Sequence, residues 1–179
     1  RKTVHMALLI ILSANIPQKV DIFAVHQKNI IFTPIIKKNN RRMKRYAIGV
    51  DIGGTNTVVG MVDAQGECVA TLGFKTREFE YIDDYVGTIC DNIEKLVGSV
   101  ADCELVGIGI GAPNMVYHTG CIEKPANLFW KDRQTGDRME IIPMAEMIRH
   151  RFPDTLVRGT NDANTAAIGE MCFGGARGM

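Results

Sequence analysis

The stretch Asp51-Ile52-Gly53-Gly54-Thr55-Asn56-Thr57 sets a carboxylate, two adjacent glycines and three hydrogen-bonding side chains side by side. Two glycines at a tight turn let the backbone take conformations closed to other residues. Their N–H groups can then converge on an anion, with Thr55 and Asn56 adding side-chain donors. Asp51, at the end of a β-rich run, suits a hydrated Mg²⁺ beside that anion, because this cation takes oxygen ligands and keeps part of its water shell. The pattern is not a P-loop: no Lys follows the glycines, and a strand rather than a helix comes next. A plain hairpin with Gly-Gly at its turn would account for the glycines alone.

Asn161-Asp162-Ala163-Asn164 lies between a short strand pattern and a helical one. A carboxylate at a helix start accepts backbone N–H bonds and feels the positive end of the dipole, which favours its charged form and orients it. An oriented carboxylate is what taking a proton from an alcohol requires. Asn161 can both give and accept hydrogen bonds with neighbouring hydroxyls. A simple helix cap is the competing explanation of the Asn-Asp pair. The third stretch runs from Gly111-Ala112-Pro113-Asn114 to Pro125-Ala126-Asn127-Leu128-Phe129-Trp130. Asn side chains beside aromatic rings suit a sugar, which presents hydroxyls and apolar C–H faces. The alternative is a surface loop that Trp130 anchors into the core, and Trp130 itself is expected to pack.

These stretches need elements to hold them. Tyr46–Ile52, Thr57–Asp63 and Cys68–Lys75 read as three strands in meander order, with Gly53-Gly54-Thr55-Asn56 at the first tip. Ile82, Tyr85, Val86, Ile89, Ile93, Leu96 and Val97 recur at helical spacing, a stripe that belongs to core packing. Leu105–Ile110 reads as the next strand, and a helix between strands three and four makes that crossover parallel. Residues 111–129, rich in Pro, Gly and Asn, read as a long irregular loop. A helix is expected over 139–151, a strand over 156–160, and a further helix from Ala163 to Glu170. The expected organisation is a basic leader over 1–42, an N-terminal α/β domain over 43–135 and the start of a second domain over 136–179.

Composition narrows the class. The chain has 179 residues, 46% apolar and 23% charged, which excludes a disordered tail, a collagen-like repeat and a disulfide-rich mini-protein. No apolar run approaches the ~18 residues of a spanning helix. The net charge of +1 conceals an asymmetry. Residues 1–45 hold ten Lys or Arg and one acid, Asp21, whereas the remainder holds eleven bases and nineteen acids. An acidic body does not offer a phosphate backbone a positive face, so no nucleic-acid partner is expected. Cys68, Cys90, Cys103, Cys121 and Cys172 are odd in number and lack C-x-x-C spacing, which argues against a disulfide framework or a zinc knuckle and for a reducing cytoplasm. The basic residues before Met6–Leu12 have the order of a signal peptide, but the apolar run is short and no small-x-small site follows Ser13-Ala14. The leader is therefore expected to be disordered or non-native, with the folded unit opening at Met43.

Taken in this order, the motifs resemble the ROK family (repressor, open reading frame, kinase), and among its members the bacterial glucokinase-like sugar kinases. Tyr46-Ala47-Ile48-Gly49-Val50-Asp51-Ile52-Gly53-Gly54-Thr55-Asn56 is similar to the family's first phosphate motif, and Gly109-Ile110-Gly111-Ala112-Pro113-Asn114 to its sugar loop. Pro125–Trp130 and Asn161–Glu170 are similar to two further family stretches. The resemblance runs from Met43 to Met179 and leaves residues 1–42 outside.

The resemblance implies an α/β, actin-like ATPase, ribonuclease-H-like sugar kinase that closes over ATP, Mg²⁺ and a hexose, the chain holding the first domain and the beginning of the second. It makes Asp162 the catalytic base toward the sugar's 6-hydroxyl. Asn161, Asn114, the Pro113 backbone and Asn127 would line the sugar pocket. Gly53, Gly54, Thr55 and Asn56 would hold the ATP phosphates, with Asp51 organising Mg²⁺. The family's second phosphate loop, adenosine segment, sugar-binding Glu and His, and zinc cluster would all lie past residue 179, so no zinc ligand is assigned here. The chain alone is expected to be inactive and aggregation-prone, and the complete protein to be a cytoplasmic homo-oligomer. Glucose is the default sugar; another hexose or an N-acetylhexosamine is an alternative. A sugar-responsive repressor is the other class, disfavoured because residues 1–42 show no paired amphipathic helices and because Asp162 is present.

Overall fold

The apolar run around Ile48 and Val50 becomes the first strand, β1 (Lys44–Ile52), in which every residue from Tyr46 to Val50 is buried. Burial on both faces explains why its sequence is continuously apolar rather than alternating. The structure, a computed structural model, describes residues 43–165. The leader at 1–42, the remainder of the helix expected up to Glu170, and the glycine-rich end, with Cys172, lie outside the described residues.

β2 (Asn56–Asp63) and β3 (Cys68–Lys75) return antiparallel, completing the expected meander. Their turn is closed by Asp63, whose Oδ1 accepts the N–H groups of Gln65 and Glu67 at 2.9 Å. A short 3₁₀ turn (Thr76–Glu78) leads to α1 (Ile82–Gly98). Asp83 and Asp84 in its first turn and Lys95 in its last complement the helix dipole. Its apolar stripe, Ile82, Tyr85, Val86, Ile89, Ile93 and Leu96, is buried as the spacing predicts. β4 (Cys103–Ala112) then runs parallel to β1 and is longer at both ends than the apolar run alone suggested. The crossover is parallel as expected, and it lands beside β1.

Two regions differ from the sequence reading. The loop over 111–129 contains two short strands, β5 (Met115–Val116) and β6 (Cys121–Glu123). Met115 and Ile122 are buried there, so two apolar positions in a polar stretch were enough to nucleate a small ladder. The helix expected over 139–151 is only α2 (Met144–Arg151), and Ile141–Ile142 forms β7, paired with β6. Pro143 is the reason: the residue before a proline is pushed into extended backbone, and the helix begins after it. Among the cysteines, Cys90 is buried and its thiol is pushed up to about 11 by that burial, whereas Cys68 is exposed.

β8 (Val157–Asn161) pairs in parallel with β4, giving the sheet order β3-β2-β1-β4-β8. β7, α2 and β8 therefore build into the same core as residues 44–130, with Ile142, Met144, Ile148 and Val157 in one cluster with Ile48, Ile89 and Ile108. The expected boundary at 135/136 falls just before this group. Arg151 binds the Glu94 carboxylate through two nitrogens, at 2.7 and 3.0 Å, and so ties α2 to α1. Gly120 has φ +68°, and a Cβ there would stand 2.6 Å from Ala145 Cβ, which is how the β5–β6 turn sits directly on α2.

Trp130 is 2% exposed and stacks on Tyr85 at a ring-centroid distance of 4.1 Å, so it is an anchor in the core as expected. Trp130→Ala removes this ring from beneath the Pro125–Trp130 loop. The expected cost is about 3–5 kcal/mol in urea unfolding, with an unchanged denaturant slope. A loss below about 1 kcal/mol would mean that the ring is not anchored there.

Candidate functional site

Strand pairing collects the candidate residues at one edge of the sheet. β1, β4 and β8 are parallel neighbours, so their C-terminal ends share an edge. In register, Asp51 stands opposite Gly111, Gly111 opposite Thr160, and Ala112 opposite Asn161. With neighbouring strands about 4.8 Å apart, the backbones of Asp51 and Thr160 are about 10 Å apart. The hairpin Gly53–Asn56 continues from β1, Pro113-Asn114 from β4 and Asp162 from β8. All three sequence stretches therefore meet where crevices beyond strand ends form in such sheets.

The hairpin is closed by Gly53 N–H donating to the Asn56 carbonyl at 3.0 Å. A Cβ on Gly53 would lie 2.9 Å from that carbonyl oxygen, and one on Gly54 would lie 3.3 Å from Asn127 Cβ. Asn127 thus packs directly on the tip, although the two positions are far apart in sequence. The end of β3 and the 3₁₀ turn after it support the hairpin: Thr76 N–H donates to the Thr55 carbonyl at 3.0 Å, Lys75 Nζ to Asn56 Oδ1 at 2.8 Å and Arg77 Nε to the Gly54 carbonyl at 2.8 Å.

Behind the tip lies a buried hydroxyl network. Thr57 Oγ1 is 2.6 Å from the Tyr85 hydroxyl and 2.8 Å from Thr76 Oγ1. Burial drives the Tyr85 phenol far above its ordinary range, with the negative charge of Asp51 pushing the same way, so it stays a neutral hydrogen-bonding group. The network joins β2, the 3₁₀ turn and α1, and it makes the base of the hairpin rigid.

At the β8 end, residues 162–165 are helical, so Asn161 occupies the capping position and Asp162 the first helical one. Both Asn161 Oδ1 and Asp162 Oδ1 lie 2.9 Å from the Ala163 N–H, and Thr165 Oγ1 donates to the Asn161 carbonyl at 3.0 Å. The cap is therefore shared and not carried by the carboxylate alone. Asn114 takes a left-handed conformation, φ +57°, which Asn tolerates, and its Nδ2 donates to the Lys124 carbonyl at 3.0 Å. That bond commits one of its donors to closing the loop. Arg138 stacks on Phe129 at 4.5 Å and donates to the Pro125 carbonyl, holding the Asn127 loop from its other side.

Thr76, Arg77, Asn127, Phe129 and Trp130 line a depression of roughly 230 Å³ next to the hairpin. Sequence reading missed Lys75, Arg77, Thr76 and Tyr85 as neighbours of the tip. The signal available was register: once β2 folds back on β3, Asn56 pairs with Lys75, and a basic Lys-Thr-Arg run must flank the glycines. Tyr85 was legible only as part of the helix stripe.

The donor types at this edge fit phosphate and magnesium. Gly53 and Gly54 carry no side chain of their own, two cations flank the tip, and Asp51 supplies a hard carboxylate oxygen at the adjoining strand end.

The ROK family model matches residues 47–179. A glucokinase from Halalkalibacterium halodurans is 30% identical over 137 residues, covering 75% of this chain and 38% of that protein. A putative xylose repressor from Caldicellulosiruptor sp. is 25% identical over 145 residues, covering 79% of this chain and 34% of that protein. Among solved structures, a ROK family glucokinase from Streptomyces griseus in complex with glucose and AMPPNP has a TM-score of 0.59 at 28% identity, over 74% of this chain and 38% of that one. The chain spans less than two-fifths of the length of these relatives. Its fold is α/β, of the actin-like ATPase type found in ROK sugar kinases. Four motifs in register, a Gly-Gly hairpin and an Asn-Asp pair on one sheet edge, and a family model matching most of the chain lead to one conclusion: this chain belongs to the ROK family.

Proposed function

We propose that the protein carrying this chain is an ATP-dependent hexose kinase of the cytoplasm, with glucose, phosphorylated at its 6-hydroxyl, as the default substrate. The observation that carries this reading is the strand register that sets Asp51 and its hairpin about 10 Å from the end of β8, where Asn161-Asp162 begins. That span suits a phosphoryl group held at one side and an alcohol held at the other.

In this mechanism the γ-phosphoryl group of ATP lies on Gly53, Gly54, Thr55 and Asn56, and the sugar lies between Asn161, Asn114, the Pro113 backbone and Asn127. Asp162 accepts the proton of the attacking hydroxyl. The sugar oxygen forms the new bond to phosphorus as the bond to the β–γ bridging oxygen breaks, and ADP leaves. Proton acceptance by a positioned base contributes typically about 10²–10⁴-fold. Asp51 would hold the magnesium ion, which when bound offsets the negative charge of the phosphates. The buried Thr57–Tyr85–Thr76 network keeps the hairpin from deforming as charge moves across it.

Assaying the complete protein for ADP release with glucose, mannose, fructose and an N-acetylhexosamine tests the reading. Sugar-dependent turnover, fastest with glucose, is the expected result; ADP release with none of these sugars would refute it, and preference for another sugar would move the substrate only. The likeness to a putative xylose repressor supports a second reading, a sugar-responsive DNA-binding regulator. It requires sequence-specific DNA affinity that falls steeply with salt and shifts with sugar, and no turnover.

A further inference from the structure

We propose that Lys75 and Arg77 form a cationic clamp for the polyphosphate chain at the Gly-Gly hairpin, with Arg77 also setting the orientation of the hairpin peptide. The inference rests on the kinase reading for the identity of the natural ligand, but its physical argument stands on local geometry.

Arg77 Nε donates to the Gly54 carbonyl at 2.8 Å. The peptide joining Gly54 to Thr55 is planar and trans, so the Thr55 N–H points away from a carbonyl held by Arg77. Fixing that carbonyl therefore fixes the direction of a backbone donor at the tip. Without it, the Gly54–Thr55 peptide would turn more freely, because Gly54 has no side chain to restrict the torsion on its side. Lys75 Nζ donates to Asn56 Oδ1 at 2.8 Å, which likewise leaves the Asn56 amide nitrogen turned away as a donor.

Charge makes the second argument. Lys131, Arg133 and Arg151 are paired with Glu80, Asp84 and Glu94. Lys75 and Arg77 instead donate to neutral acceptors of the hairpin, and among the described residues neither forms an ion pair. Two cations held on a glycine turn by neutral partners keep their charge for a third party. The adjacent depression, lined by Arg77, Asn127 and Phe129, gives that party room beyond the tip. A chain of linked phosphates has the required charge and can reach both cations, and charged hydrogen bonds to phosphate oxygens are of the strong class.

The test uses the complete protein with Arg77→Ala, Arg77→Lys and Lys75→Ala. Both positions are exposed, so the variants are expected to fold as the parent does. The readouts are KM for ATP, KM for sugar, and the calorimetric Kd for inorganic tripolyphosphate. Arg77→Ala is expected to raise the ATP KM and the tripolyphosphate Kd roughly tenfold each, with the sugar KM within about twofold. Lys75→Ala should act in the same direction, and Arg77→Lys should recover part of the loss. Unchanged ATP KM and tripolyphosphate Kd in an active enzyme would overturn the clamp and leave the kinase reading standing. Equal rises in the ATP and sugar KM values would also overturn it, since that is what loosening of the whole site produces. Tripolyphosphate binding that depends on Arg77, in a protein that phosphorylates no sugar, would support the clamp while removing the kinase reading. A protein that binds neither ATP nor tripolyphosphate would overturn both.

Discussion

Replacing Asp162 with Asn in the complete protein is expected to lower kcat by about 10²–10⁴-fold while leaving the KM values for sugar and ATP within a few-fold. The amide keeps the shape of the side chain and an oxygen to accept the Ala163 N–H, which Asp162 Oδ1 approaches at 2.9 Å. The shared cap at Asn161 further protects the helix start, so the fold should lose little. What the amide cannot do is take a proton. An effect confined to kcat marks an interaction made only in the transition state. A variant that turned over at more than about a tenth of the parent rate would remove Asp162 from the role of base.

Gly53→Ala is expected to lower kcat/KM for ATP by at least about tenfold and to cost about 1–3 kcal/mol of stability. Its new Cβ would lie 2.9 Å from the Asn56 carbonyl oxygen, the same atom that Gly53 N–H bonds at 3.0 Å to close the hairpin. Because the obstacle is backbone, relief requires the turn to open. Opening it also disturbs the Gly54 carbonyl and, through Gly54, the contact with Asn127. Gly87→Ala is the matched control. Gly87 lies within α1 with nothing within 4 Å of an added Cβ, so alanine there should raise stability by roughly 0.5–1 kcal/mol and leave kinetics alone. Equal behaviour of the two variants would show that the hairpin tip has no special steric demand.

Much of the sheet was legible because local pattern and tertiary packing agree in it. Ile48, Val50 and Val59 lie in strands buried on both sides, and the α1 stripe from Ile82 to Leu96 has one consistent period. The errors came where a single residue overrules periodicity. Pro143 delays the start of the helix expected over 139–151 to Met144, and Ile141-Ile142 before it forms a strand. The β5–β6 ladder rests on too few residues to produce a repeat at all. The candidate site divides in the same way. Asp51, Gly53, Gly54, Asn161 and Asp162 were visible because their types at short spacing already suggest chemistry. The contact of Asn127 with Gly54, the grip of Arg77 on the hairpin and the support from Tyr85 depend on chain segments brought together from a distance. Tertiary packing of loop, turn and helix against the hairpin supplies these contacts, and composition alone does not reveal them.

A crystal structure of the complete protein with glucose and a non-hydrolysable ATP analogue tests the central claim most directly. The account predicts the 6-hydroxyl within about 2.6–3.2 Å of an Asp162 carboxylate oxygen. It also predicts the terminal phosphate on the Gly53–Asn56 backbone, between that hydroxyl and the Lys75–Arg77 side of the hairpin. A sugar bound away from Asp162, or phosphates seated on another edge of the sheet, would contradict it.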